Sequence, residues 1–296
     1  MHYIPYICFA LSLALCWASK KAALIVFAGS IIAAWLINDL HPGVFVILSA
    51  ALSFAHGGEN KTAKITAHLC FTVFCLLLFF HEIPWISNVK IFDAVHVGTH
   101  CTPFTMVLNM ENGLIAGVLL CGFIPLLHPK LEWRHFFSCS QLIPIARTCA
   151  EWKQIFVSTS IYGSLCILTL MGAALALGHV TFNPKFPTQT AVFLLNNLML
   201  VCMAEEAFFR GYIQKNLSDI CQQRNLPKTL ALVAASLLFG LRHYQSGVPI
   251  MILSTIAGLF YGAAYMRGNR IESAILVHFG LNAVHFFFFS YPALMR

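Results

Sequence analysis

Three ionisable side chains within six residues interrupt a long apolar stretch of this sequence. The segment AEEAFFRGY contains Glu205, Glu206 and Arg210, and the thirteen residues before it, AVFLLNNLMLVCM, include no acidic or basic side chain. Each such charge at the depth of a bilayer costs roughly 2.5–3.5 kcal/mol. Ionisable groups placed there usually face a bundle interior or a water-filled cavity, and by default they mark function. A buried network of structural ion pairs is the alternative.

The spacing of these residues predicts different roles for them. Glu206 and Arg210 are four residues apart, so they share a helix face and can pair. Arg210 keeps its charge at any accessible pH, and the pairing would help to neutralise it. Glu205 is rotated by about 100° from Glu206. We therefore expect Glu205 to keep a free carboxylate, which suits a general base.

Four polar groups are expected to lie at similar depths. Counted along the helices, Glu205 is about 18 Å and His243 about 22 Å from the inner face. His278 and Asn282 are about 12 and 18 Å from that face, and they share one side of their helix. Three predicted helices thus bring these groups together near the middle of the membrane.

This set of groups predicts hydrolysis of a peptide or ester bond without a covalent intermediate. Glu205 with His243 can activate a water molecule, which needs a carboxylate and a second group that orients the water. His278 with Asn282 can stabilise an oxyanion, which needs donors at the place where negative charge develops.

Other polar or aromatic residues in the same region have simpler interpretations. Arg242 is expected to point away from His243 and to snorkel or bind a lipid phosphate, and His285 is expected to be a core or lumen histidine. Asn196 and Asn197 can bond across helices. The run FFFFSY at 286–291 is expected to face lipid or to form an interfacial aromatic belt.

The composition predicts a membrane protein. Of 296 residues, 59% are hydrophobic and only 10% are charged, whereas soluble domains have about 25% charged residues. The net charge of +7 is attributed to loops that set topology, so nucleic-acid binding is not expected. The eleven cysteines show no CxxC spacing and are expected to act as small hydrophobic residues.

The predicted fold is an all-α integral membrane protein, a polytopic bundle of about ten transmembrane helices with both termini on the outer side. A span needs about 20 mainly apolar residues. The ten predicted spans are residues 3–18, 22–38, 43–56, 65–81, 113–128, 155–178, 190–214, 229–245, 247–267 and 271–291.

The distribution of basic residues supports this topology. Thirteen lysines and arginines fall in predicted inner loops and three in outer ones, as the positive-inside rule requires. We expect an N-terminal five-span block over residues 1–154, with an outer loop at 82–112. A C-terminal helical core over residues 155–296 would then carry the catalytic groups.

Three short motifs resemble those of the CPBP family, which includes CAAX proteases and bacteriocin-processing enzymes. EEAFFRG at 205–211 resembles the family motif EExxxR, FGLRH at 239–243 resembles FxxxH, and HFGLN at 278–282 resembles HxxxN. Their order and spacing also fit, and the resemblance covers roughly residues 190–290.

The resemblance implies an intramembrane endopeptidase. Members of the type II CAAX prenyl protease branch remove the last three residues of prenylated proteins. By motif position, Glu205 would be the catalytic glutamate, His243 would assist it, and His278 with Asn282 would form the oxyanion hole. The residues that would support the site are Glu206, Arg210 and Phe239, the last packing beneath it.

No cofactor is expected, and the glutamate mechanism is preferred to a metal-dependent one. The alternative is a zinc ion held by Glu205, His243 and His278. The sequence has no HExxH motif, which agrees with a reaction without metal.

About 190 residues precede the segment that resembles the family. They include the polar and aromatic segment HVGTHCTPFTMVLNMENG at 96–113. This segment is either an ordinary connection or a lid or dock for a substrate presented from outside. A dock would favour maturation of a C-terminal anchor, a sorting signal or a secreted peptide over a prenylated tail. The expected partners are the bilayer and a membrane-anchored protein or peptide, in the inner membrane if the source is bacterial.

Two other functional classes compete with the protease. A transporter could relay protons along the same Glu, His and Arg side chains, but the ionisable groups are confined to one half of the chain, unlike matched transporter halves. A non-catalytic scaffold could keep the fold for binding alone.

Overall fold

The structure is a computed structural model that describes residues 1–57, 60–121 and 148–295. Helices dominate these ranges, with one two-stranded sheet, β1 Val89–Val95 with β2 Phe104–Leu108. The helices are α1 Ile4–Leu15, α2 Lys20–Leu36, α3 Gly43–Gly57, α4 Lys61–Phe79, α5 Met110–Leu120, α6 Cys149–Ala176, α7 Thr190–Gln223, α8 Thr229–Leu241, α9 Val248–Gly268 and α10 Ile271–Phe288.

Five helices in the described ranges are long and apolar enough to cross a membrane: α4, α6, α7, α9 and α10. This confirms the predicted helical membrane protein. The shorter apolar helices include α1, α5 and α8, and ten crossings stay a prediction. The predicted span 113–128 continues past α5 into residues outside the described part of the chain.

Local sequence signals place several helix ends. Thr148 and Glu151 form a reciprocal capping box at the start of α6, which satisfies two backbone N–H groups that a helix start leaves unpaired. Asn269 ends α9 in the left-handed conformation, with φ of 52°. Gly247 has φ of 92°, which a glycine adopts without steric cost, and it separates α9 from the short 3₁₀ turn after α8.

The chain divides into two compact units. The first contains, among the described residues, 1–89 and 109–121. Within it α1 packs on α2 and α5, and α3 packs on α4. Its buried Glu111 accepts two hydrogen bonds from Nδ2 of Asn88, at 2.8 and 2.7 Å, and lies 3.1 Å from Nδ1 of His81.

The second unit contains residues 90–108 and 148–295. In this unit α6 packs against α9 and α10, while α7 packs against α8 and α10. Close approach between helices depends on Gly262, because a Cβ there would lie 2.3 Å from Leu232 and 2.5 Å from Gln214. Small residues permit this spacing.

The predicted loop at 82–112 contains the β1–β2 hairpin, which the all-α prediction did not include. The second unit contains most of this hairpin, and Phe104 packs there with Phe193 of α7 and Phe286 of α10. Phe286 is fully buried, so the expectation that the 286–291 run faces lipid is wrong at this position. An aromatic core, rather than lipid, covers these ends of α7 and α10.

Candidate active site

Glu205 and Glu206 lie on α7 in a single α-helical turn, Met203–Glu206, between two π-helical segments. The segments are Asn197–Cys202 and Ala207–Gln214. π-Helical turns are rare and occur frequently at functional sites. Both carboxylates are buried, with 2% and 0% of the residue exposed.

Glu206 is held by two cationic or polar groups. The buried Arg210 side chain donates from Nη1 to Oε1 of Glu206 at 3.4 Å. Its Nε lies 3.2 Å from Oε2, within ion-pair distance but not aligned for a hydrogen bond. The predicted pairing is therefore present. Nδ1 of His278 lies 2.8 Å from Oε1 of Glu206, so Glu206 joins α7 to α10.

This contact fixes the protonation pattern of His278. A carboxylate only accepts hydrogen bonds, so Nδ1 must carry a proton to donate to Glu206. Nε2 is then a donor only in the imidazolium form. Donation from Nε2 to an oxyanion, the predicted role of His278, therefore needs a proton on both ring nitrogens.

Aromatic rings enclose Arg210 and His278. The Arg210 guanidinium carbon lies 4.6 Å from the ring centre of Phe239 and 5.3 Å from that of Tyr261. Tyr261 stacks on His278 with ring centres 4.5 Å apart. A guanidinium is attracted to aromatic faces, and Nη2 of Arg210 also donates to the carbonyl of Gly258 at 3.0 Å. Phe239 therefore packs against this group, as the resemblance implies.

The structure corrects one expectation about Glu205 and one about Arg242. Nη2 of Arg242 lies 3.1 Å from Oε1 of Glu205, so the carboxylate is not free and Arg242 does not point away from the site. The Arg242 side chain is 16% exposed and that of Glu205 is 3% exposed. The pair is thus largely removed from solvent.

His243 lies close enough to Glu205 for the two to interact electrostatically. Its Nδ1 is 3.0 Å from the carbonyl oxygen of Phe239. A carbonyl accepts, so Nδ1 is protonated, and in a neutral ring Nε2 is an acceptor. This tautomer leaves Nε2 able to orient a water molecule.

Asn282 lies beside a different partner from His278. Its Nδ2 donates to Oδ1 of Asn197 at 3.3 Å, and Asn197 also accepts from Sγ of Cys202 at 3.3 Å. The predicted cross-helix bond of Asn197 is thus present. Nδ2 also donates to Sγ of Cys202 over 3.9 Å, a long contact to a weak acceptor that a stronger acceptor can replace.

The other residues fall in or outside this site as follows. His285 contacts the carbonyl of Ser290 at 3.2 Å and the ring of Tyr291, which agrees with a core histidine. Sequence reasoning missed Tyr261 and Arg242, since neither stands at a motif position. Among the described residues, no group of three His, Cys, Asp or Glu side chains is placed to hold a metal ion.

Comparison with known families supports the motif assignment. Residues 187–284 match the family described as type II CAAX prenyl endopeptidase Rce1-like. The matched segment includes Glu205, His243 and Asn282. No curated protein and no solved structure matches the chain. This match over residues 187–284 supports the resemblance of that segment to the CAAX proteases.

Proposed function

We propose that this protein is an intramembrane endopeptidase in which Glu205 activates the attacking water. One observation carries the proposal: the two adjacent glutamates have different surroundings. Glu206 is engaged by Arg210 and His278. Glu205 has one oxygen on Arg242 and lies near His243, so its second oxygen is placed to accept a proton.

The chemical steps follow from these positions. Glu205 takes a proton from water while Nε2 of His243 orients that water, and the resulting hydroxide attacks the carbonyl carbon of the scissile bond. The oxyanion accepts hydrogen bonds from His278 and from the second amide N–H of Asn282. Glu205 then returns its proton to the leaving nitrogen, and the C–N bond breaks.

A zinc-dependent version is less well supported by the donor set. Nδ1 of His278 is engaged by Glu206 and Nδ1 of His243 by a backbone carbonyl; zinc-bound histidines make the same contacts, so these do not distinguish the two mechanisms. A catalytic zinc site has three protein ligands around the ion, and such a group is not found in the described ranges.

The substrate class follows from the location of the site. A buried carboxylate on an apolar helix can reach only chains that enter or approach the bilayer, so we propose a membrane-anchored protein or peptide. The cleavage would mature a C-terminal anchor, a sorting signal or, as in the family description, a prenylated tail.

The multi-pass arrangement is part of the proposal. We infer ten crossings with both termini on the outer side, in the inner membrane if the source is bacterial. Described helices overlap all ten predicted spans, although four of the apolar helices have only 10–17 residues.

The test compares protein termini in membranes of the native host that contain wild-type protein or Glu205→Gln. Asp219→Asn, which removes an exposed carboxylate of α7, is the matched control. We expect a defined set of new termini in wild-type and control membranes and its loss in Glu205→Gln. Identical termini in all three, at equal protein levels, would contradict hydrolysis by Glu205.

A further inference from the structure

A basic groove lies where the first turns of α6 meet the last turn of α9. Its volume is 420 Å³, and it is lined by Ala150, Lys153, Gln154, Val157 and Arg267. We call it the α6–α9 groove. It is separate from the glutamate site, because none of these side chains contacts Glu205 or Glu206 by an ion pair or hydrogen bond within the described residues.

Hydrogen bonds fix the two helices that form the groove. Nε2 of Gln154 donates to the carbonyl of Arg267 at 2.8 Å. One turn deeper, the buried hydroxyl of Ser158 donates to the carbonyl of Ala264 at 2.9 Å. The groove is therefore a built feature of two packed helices rather than a gap between independent loops.

The two cations of the groove have no carboxylate partner in the part of the chain that the structure describes. The nearest acid along α6, Glu151, is engaged by Arg270. Asp219 of α7 is paired with Lys215. Lys153 and Arg267 form no such ion pair and are both exposed. Their charges are thus available to an anion from outside the chain.

Apolar side chains continue from the groove along α6. Val157 is 46% exposed and Phe156 is 60% exposed, and further along the helix Leu165 and Leu168 are 49% and 72% exposed. Such a surface on a membrane-crossing helix faces lipid chains. A pair of cations at the helix end above an apolar face matches a phospholipid, which has an anionic head and apolar tails.

We propose that the α6–α9 groove binds an anionic phospholipid. Lys153 and Arg267 contact its phosphate, and one acyl chain lies along Val157 and the exposed face of α6. Basic pockets between transmembrane helices bind lipid headgroups in this way. The site does not depend on the proposed hydrolysis, so it can be tested in the inactive Glu205→Gln variant as well.

The experiment uses the full chain in phosphatidylcholine nanodiscs with and without phosphatidylglycerol. Retained lipid is counted by native mass spectrometry, and thermal stability is measured in parallel. The test variant is Lys153→Gln/Arg267→Gln. The matched control is Arg224→Gln/Lys228→Gln, which removes the same charge from exposed residues between α7 and α8 that lie outside the groove.

We expect phosphatidylglycerol to bind and stabilise wild-type and control proteins, and to bind the groove variant about 20-fold more weakly. Equal loss in both double variants would reduce the effect to general surface charge and overturn the site. A third sample in phosphatidylcholine alone receives soluble glycerol phosphate. Equal stabilisation by that compound would overturn the assignment to a lipid.

Discussion

At the scale of single residues, the environment separates two glutamates of identical chemistry. Glu206 is fully buried and lies against Arg210 and His278. Removing one partner of a buried pair leaves an uncompensated charge, which typically costs about 3–5 kcal/mol. We therefore propose a structural role for Glu206. Glu205 is paired with Arg242, whose side chain is 16% exposed, and in the proposed mechanism its other oxygen takes the proton.

We predict that Glu205 and Arg242 are energetically coupled. Either single change, Glu205→Gln or Arg242→Gln, leaves a largely buried charge without its partner, whereas the double variant leaves none. The losses in unfolding free energy should therefore be non-additive, with a coupling of about 1–3 kcal/mol. Denaturant titration of the purified variants in detergent measures this cycle.

The matched control is the exposed pair Lys215 and Asp219, whose side chains are 39% and 54% exposed. Exposed pairs four residues apart contribute only about 0.3–0.5 kcal/mol, so its cycle should be nearly additive. Additive losses at Glu205 and Arg242 would show that the 3.1 Å contact contributes nothing to stability.

The sequence predicted which residues of the three motifs share an apolar region, because charged groups in such runs are conspicuous. It did not predict Arg242. The predicted span continued through residue 245, whereas α8 ends at Leu241 and a 3₁₀ turn follows. Arg242 is the C-cap residue, so its direction could not be read from helical periodicity.

At the scale of elements, the two π-helical segments of α7 were also beyond sequence reasoning. Hydrophobic periodicity indicates which helix face is buried. It does not show whether each backbone N–H bonds to the carbonyl four or five residues earlier. In α7 the shift occurs on both sides of Met203–Glu206. The directions of the proposed catalytic side chains on α7 thus depend on backbone geometry that the residue types do not reveal.

The β1–β2 hairpin is the second element that the sequence did not predict, since its strands have only seven and five residues. We predict that it is a stably docked part of the second unit. Phe104 is 7% exposed against Phe193 and Tyr291. Phe104→Ala should lower the unfolding free energy by roughly 3–5 kcal/mol, measured by denaturant titration.

Phe186→Ala provides the comparison for this prediction, because Phe186 is 82% exposed although it also stacks on an aromatic neighbour, Phe287. Its loss should be much smaller. Equal losses in the two variants would mean that the hairpin is held no more firmly than an exposed loop.

At the scale of the whole molecule, contacts within each unit agree with the predicted alternation of loops between the inner and outer sides of the membrane. In the first unit the segments before α3 and before β1 meet, since Leu40 and Ile86 form a β-bridge. In the second unit Cys101 bridges Leu294 and Phe182 bridges Phe289. Each bridge joins segments that the positive-inside pattern assigns to the same, outer side.

This agreement leads to a prediction about the number of crossings. Ten crossings place both termini on one side, whereas five crossings by the longest apolar helices alone would place them on opposite sides. Epitopes fused to the two ends should therefore both be reached by antibody in intact cells or spheroplasts. An epitope inserted after Asn225, in the exposed segment between α7 and α8, should be reached only after permeabilisation.

One accessible and one protected terminus would exclude an even number of crossings. Two protected termini with an accessible Asn225 epitope would keep the even number but invert the orientation, and the basic residues would then lie on the outer face, against the rule that predicted them inside.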